Sequence, residues 1–479
     1  KPPVHTGGFD FYFSNTNDLL PFNPILLPFL FLECIIFYGG VFMKKDKERT
    51  DKFGNLKVYE KQSISLRYVQ RFGSDLEQGI KDALGWDSGR VIYYKNQELK
   101  YDLQVDSCYP STDAPEVFVS VTYCNPDKPG HSNENKLQLK LGELMLLKGF
   151  YPNIKSVLVI GGNEGTWLPY VLEAFNYFFD KTIYAWEDNF EQSIDELREN
   201  PNNIQLKHSD TWAELSKEWN NTNLWEDEPI DSFLRINTWE KIVNLGKEGE
   251  LPEDISNEIF RHCMQAAYTR SVETRNRNGK EWTNYQNENW GKLWESRSFF
   301  NPGEAAIELS LSKTGFAFSG GLAKDVDVPS LIHHLGGDNV DKTKVSEDFV
   351  LFSKKLNLPV LIQSKATGGG KARHGKNIQN RTKEQVARSL FYRGGIADDK
   401  IILRPKDYYW IGVLDGNWGV TRKTPLKYLH MLQWAGYDYL IAADALIDEN
   451  IDLVLDNPLI EKLRELECIT DQDEFEKLW

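Results

Sequence analysis

Asp348, Gln363 and Lys365 are spaced for phosphate chemistry. The run "EDFVLFSKKLNLPVLIQSKA", residues 347–366, puts Asp348 at the head of one extended segment and Gln363, Ser364 and Lys365 on the next. Side-chain oxygens from Asp348 and Gln363, joined by the Ser364 carbonyl, suit a hard cation such as Mg2+. A lysine beside that cation orients an attacking water or offsets developing charge, so the group predicts metal-assisted phosphodiester hydrolysis. The element that must deliver these groups is a buried strand. Val360, Leu361 and Ile362 are apolar and partly β-branched, and alternation turns Gln363 and Lys365 to one face.

The segment after Lys365, "TGGGKARHGKNIQNRTKEQVARSLFYRGG", suits a phosphate backbone. Between Lys371 and Arg388 six basic residues oppose the single acid Glu384, a net +5 within a chain of net charge −15. Lys371, Arg373, His374, Lys376, Arg381, Lys383 and Arg388 are the expected DNA contacts. From about Ile378 to Tyr392 the spacing is helical, with Val386, Leu390 and Phe391 on one side and the basic residues elsewhere. A competing class uses the same place: Gly370–Asn377 fits G-x4-G-K between a strand and a helix, as in a P-loop NTPase. Asn377 stands where that loop needs a hydroxyl for Mg2+, which ranks the NTPase second.

The pattern occurs twice. Asp106 is followed fourteen residues on by Ser120 and then Thr122; Asp348 is followed fifteen residues on by Gln363 and then Lys365. His131 and His374 each lie nine residues further. Each copy continues into an amphipathic helix (133–148 and about 378–393), a strand ("SVLVIGG", "YYWIGVL"), a helix and a last strand ("TIYAWE", "YDYLIAAD"). That order predicts a mixed α/β sandwich, duplicated and diverged.

These motifs resemble the PD-(D/E)XK nuclease core of Type II restriction endonucleases, in the variant where Gln replaces the middle carboxylate. The resemblance covers most of residues 60–190 and 300–445 and is carried best by 348–388. It implies an α/β fold class with two restriction-endonuclease-like mixed-sheet α/β/α cores. It further implies Mg2+ as cofactor, double-stranded DNA as partner, a homodimer, and a place in restriction–modification and phage defence. Glu304 or Glu308 would be the accessory glutamate of the second copy and Glu77 that of the first. In the first copy Ser120 and Thr122 replace the second ligand and the lysine. Some family members move the missing carboxylate onto the following helix, where Glu134 and Lys136 could serve, which makes Asp106, Ser120, Glu134 and Lys136 a candidate second site. The preferred expectation for this copy is a degenerate domain that reads DNA or assembles the enzyme. A catalytically inactive DNA-binding protein is the remaining alternative.

Length and composition bound these readings. The chain has 479 residues, enough for two or three domains, and a pI near 5.2 confines any DNA contact to a local basic cleft. Five cysteines lack metal spacing and fit a reducing, cytoplasmic location. Residues 1–42 include an apolar stretch broken by three prolines. With Met43 the first methionine, an upstream extension is expected there, with a membrane anchor as the rival and no stable membrane association foreseen. The expected domains are 43–188, degenerate; 189–300, a helical Trp-rich insert; and 301–479, catalytic. In the insert Arg270, Arg275, Arg277 and Lys280 are spaced among Asn and Gln, a composition able to read bases.

Overall fold

The computed structural model describes residues 73–94, 100–124, 133–222, 302–318, 321–328, 345–367, 378–398, 400–416 and 423–469, with Phe233, 257–259, 261–263 and Ser330. Residues 1–72, 368–377 and most of 223–301 lie outside this set. The expectations for Lys371, Arg373, His374, Lys376, the G-x4-G-K loop and the basic part of the insert therefore fall beyond the described residues.

The first core runs α1 (Gly73–Leu84), β1 (Asp87–Tyr94), β2 (Lys100–Pro110), β3 (Pro115–Tyr123), α2 (Asn133–Phe150), β4 (Lys155–Gly161), α3 (Pro169–Phe178) and β5 (Lys181–Tyr184). Two further helices follow, α4 (Phe190–Glu199) and α5 (Ser209–Asn221). Its sheet has the order β1-β2-β3-β4-β5. The first two pairings are antiparallel and the last two parallel, as a hairpin followed by helical crossovers requires. Val157–Ile160 are buried without alternation, because a parallel strand between helical layers has no solvent face.

The second core runs α6 (Pro302–Lys313), β6 (Lys324–Val328), β7 (Val345–Ser353), β8 (Leu358–Thr367), α7 (Ile378–Arg393), β9 (Gly394–Ala397), β10 (Lys400–Leu403), β11 (Tyr409–Gly416), α8 (Lys423–Ala435) and β12 (Tyr439–Ala442). It closes with α9 (Pro458–Glu465) and β13 (Cys468–Ile469), the latter pairing with β7. The path β6-β7-β8-β11-β12 repeats the first sheet: two antiparallel pairings, then two parallel. The duplicated strand-and-helix order expected from the sequence is thus present in the backbone, although among the described residues the β9–β10 hairpin occurs only in the second core.

Helices α2, α3, α5, α7 and α8 lie between the two sheets, and α1, α4, α6 and α9 cover their outer faces. Leu76 and Ile80 of α1 and Ile194 and Leu197 of α4 pack on Val117, Val119, Val157 and Val159 of the first sheet. The helix α4 therefore completes the first core, and the expected boundary at 188 cuts through one packed unit. Ala306, Ile307, Leu459 and Leu463 cover the outer face of the second sheet with Phe349, Ile362 and Val413. The inner faces of both sheets share one core with α2, α3, α5, α7 and α8, in which Trp212 and Trp219 are buried. At its centre α2 crosses α7 closely: a Cβ on Gly142 would stand 1.9 Å from the Lys383 carbonyl oxygen. Only glycine allows this approach.

Candidate active site

Each sheet forks at its aspartate. The β2–β3 ladder ends at the pair Ser107–Val119; before it β2 pairs only with β1, and beyond it β3 pairs only with β4. The β7–β8 ladder ends in the same way at Phe349–Ile362. A fork orphans a backbone N–H that the ladder would have used, and a buried donor needs an acceptor. In both cores the residue just before the last ladder pair supplies it. Asp348 Oδ2 accepts from Ser364 N at 2.6 Å, and Asp106 Oδ2 accepts from Val121 N at 2.7 Å. Two aspartates doing the same job at the same place in two sheets are structural equivalents.

In the second core Gln363 Nε2 also donates to Asp348 Oδ2, at 2.6 Å. That leaves Gln363 Oε1 buried with no hydrogen-bond partner among the described residues. Burial pushes the Asp348 carboxyl up to about 6: Lys365 and the Ser364 N–H pull it down, while Glu304 and Glu347 push it further up. Burial and Arg388 lower Lys365, with Asp348 and Glu384 opposing them. Glu304 stands near the fork because α6 begins against it. Gly303 N donates to the buried Asp415 carboxylate at 3.1 Å, and a Cβ on Gly303 would lie 3.1 Å from Ser364 Oγ. Lys324 sits 3.3 Å from Glu304 and 2.5 Å from Glu308. Against the cost of burial, hydrogen bonds from His262 and Lys324 draw Glu308 down to about 2. Of the two expected accessory acids, Glu304 is the one that acts electrostatically on Asp348.

The first fork holds a different set. Lys140, two turns into α2, hydrogen-bonds Ser120 Oγ and lies 3.7 Å from Asp106 Oδ2. Glu143, one turn further, accepts from Ser120 Oγ at 2.8 Å and from Lys383 Nζ at 2.6 Å. Burial, Glu143 and Glu77 raise the Asp106 carboxyl despite Lys140. Although burial disfavours its charge, Lys140 is held protonated by Glu143, Asp106 and Glu77. Glu143 is drawn down, against burial, by Lys140 and Lys383. The expected pair does not form this site: Glu134 is exposed and accepts from Tyr170 at 3.1 Å, while Lys136 feels the fork only through Lys140. The sequence does carry a signal for the pair that does. Lys140 and Glu143 sit beside Leu137, Leu141 and Leu144 on the buried side of their helix, where charges stay only if paired.

Two expected DNA contacts are corrected. Lys383 is buried in its ion pair with Glu143, and Arg388 is buried against Glu347 Oε1 at 2.7 Å and the Ser346 carbonyl at 2.9 Å. Tyr392 also donates to Glu347. The reason is the layer: α7 lies between two sheets, so it buries Thr382–Arg393 almost all round rather than on one stripe. Arg381, paired with Glu384 at 2.7 Å, retains an exposed part. Among the described residues no three His, Cys, Asp or Glu side chains converge as a ready-made metal cage. No described helix is long and apolar enough to cross a membrane. Searches of family models, curated proteins and solved structures found no match to this chain.

Proposed function

We propose that this protein is a Mg2+-dependent endonuclease acting on double-stranded DNA, with the second fork as its active site. The observation that carries the reading is the state of that fork. A half-buried aspartate, an amide oxygen without a partner and a lysine without a hydrogen bond or ion pair among the described residues meet at one break in a sheet. Unsatisfied groups in a folded interior call for an external partner.

Mg2+ fits the donor set. It takes few protein ligands and retains several waters, so Asp348, Gln363 Oε1 and the Ser364 carbonyl suffice, and a cage of three acids is not required. When bound it would lower the pKa of water and neutralise charge on the phosphate. The chain's own residues do the rest. Asp348 is aimed by the Ser364 N–H and the Gln363 amide, so its free oxygen has a fixed direction. Lys365 stands on the same strand face as Gln363, where it orients the attacking water or steadies the pentavalent phosphate. Glu304, buried in the first turn of α6, acts electrostatically on Asp348 and would strengthen cation binding there. Water forms the new P–O bond as the P–O3′ bond breaks; one of its protons reaches the departing 3′ oxygen through solvent, so that it leaves as a hydroxyl, and the other is lost to solvent from the new 5′-phosphate.

Digestion of unmethylated phage DNA with and without Mg2+ tests the proposal. Discrete fragments that require the metal support it. Intact DNA with all divalent ions, or ATP turnover that responds to Lys376→Ala, would replace it with a DNA-binding or NTPase reading.

A further inference from the structure

We infer that the first fork is a second phosphodiester-cleaving site, in which Lys140 of α2 replaces the lysine absent from β3, so that one chain carries a site for each strand of a duplex. The inference rests on the nuclease reading above and goes beyond it by assigning residues that the motif spacing does not reach.

Four observations carry it. Asp106 makes the same fork hydrogen bond as Asp348, at nearly the same length. A lysine reaches that aspartate, 3.7 Å away, although the strand position equivalent to Lys365 is Thr122. Asp106 and Lys140 keep side-chain exposures of 16% and 15%, so neither is sealed inside the core. Thr122 Oγ1, on the same strand face as Ser120, is buried without a hydrogen-bond partner among the described residues, like Gln363 Oε1 in the other fork. Glu143 acts as a positioning residue: it accepts from Ser120 Oγ, which in turn fixes the Lys140 ammonium beside Asp106.

The two forks are also joined. Lys383 of the second core ends on Glu143 of the first, and Gly142 lets the two helices touch at that point. Both forks therefore open onto the helical layer they share, in a fixed relation that a homodimer would otherwise have to create. In the first fork the same atoms balance as in the second: water adds to phosphorus, the P–O3′ bond breaks, one proton leaves to solvent and a 3′ hydroxyl forms. Asp106 would hold the Mg2+, and Lys140 would orient the water.

The test uses the full chain and a supercoiled plasmid that the wild type linearises. Lys140→Met and Asp106→Asn, close to isosteric, should accumulate nicked circles, with the second cut slowed roughly 100-fold or more. Lys365→Met should nick as well, and strand-specific end labels should place its nick on the opposite strand. Binding of Mn2+, followed by electron paramagnetic resonance, gives a readout independent of cleavage. Asp348→Ala should keep one bound ion and lose it when Asp106→Asn is added. Unchanged melting curves for Lys140→Met exclude misfolding; if that variant melts early, Lys140→Arg with wild-type stability and restored second-strand cutting keeps the assignment. Linearisation at the wild-type rate by both first-fork variants, or loss of both cuts in Lys365→Met, would overturn the second site and leave the nuclease reading intact. A wild type that cuts no DNA would sink both.

Discussion

The two forks use the same backbone and differ in where the lysine comes from. In the second core Gln363 and Lys365 arrive along the strand, and the lysine is left without a hydrogen-bond or ion-pair partner among the described residues. In the first, Lys140 arrives from the next helix, and Glu143, Ser120 and Lys383 bind the charges into a network. The common part is the part the fold demands: an acceptor for the N–H that a splitting sheet orphans. An aspartate at that point serves structure first and is available to chemistry afterwards. A fork can therefore keep its aspartate while the rest of the set changes, and the aspartate alone says little about activity.

The comparison depends first on the cores being packed through α2 and α7. Gly142→Ala drives a Cβ into the Lys383 backbone oxygen, which cannot swing away as a side chain would. The expected cost is at least the roughly 1–3 kcal/mol of an overpacked core, visible as a lower denaturant midpoint. An unchanged midpoint would mean that the helices do not cross there.

A second difference concerns charge. The folded pKa of Asp348, about 6, lies above that of a free carboxylate, so folding is favoured by its protonation. That contribution is complete below the unfolded pKa and is lost as pH rises through about 6. In metal-free buffer Asp348→Asn should raise Tm by roughly 2–4 °C at pH 8, with the gain vanishing near pH 4. A variant that is less stable at pH 8 would show that the carboxylate is stabilising rather than strained.

In the proposed metal site Gln363 would be a neutral ligand next to an anion. Gln363→Glu adds a formal charge for Mg2+ and should lower the Mg2+ concentration for half-maximal cleavage by about tenfold, partly offset by repulsion from Asp348. No change in the Mg2+ midpoint would remove Gln363 from the metal site. The smallest effect is expected from Glu134→Ala with Lys136→Ala, since Glu134 pairs with Tyr170 and neither side chain hydrogen-bonds or ion-pairs with Asp106, Ser120, Lys140 or Glu143. Single-turnover rates on either strand should stay within about threefold of wild type, and a larger loss would return these residues to the site.

The backbone was largely legible in the chain. Apolar strands of the right length, glycines between them and the repeated Asp-to-strand spacing indicate two α/β units. The side-chain partners were less so, because they depend on which layer a helix faces. The basic residues of α7 look solvent-facing on a helical wheel, yet Lys383 meets Glu143 on α2 of the first core and Arg388 meets Glu347 on β7 of its own sheet, and both become interior ion pairs. Position within a helix misleads in the same way. Glu134 and Lys136 lie nearest the strand in sequence, but a helix leaving a fork points its second and third turns back across it, and Lys140 and Glu143 occupy those turns. The boundary at 188 failed for a related reason: α4 is rich in charge along the chain, but its Ile194 and Leu197 close the first core.

The second fork is proposed to perform the chemistry through a lysine on its strand. Single-turnover cleavage by Lys365→Ala at saturating enzyme, with DNA affinity measured in parallel, tests it most directly. The strand cut by this fork should be hydrolysed on the order of 10²–10³-fold more slowly, or not at all, while affinity changes little. Full-rate cleavage of both strands by Lys365→Ala would contradict it and move the chemistry elsewhere in the molecule.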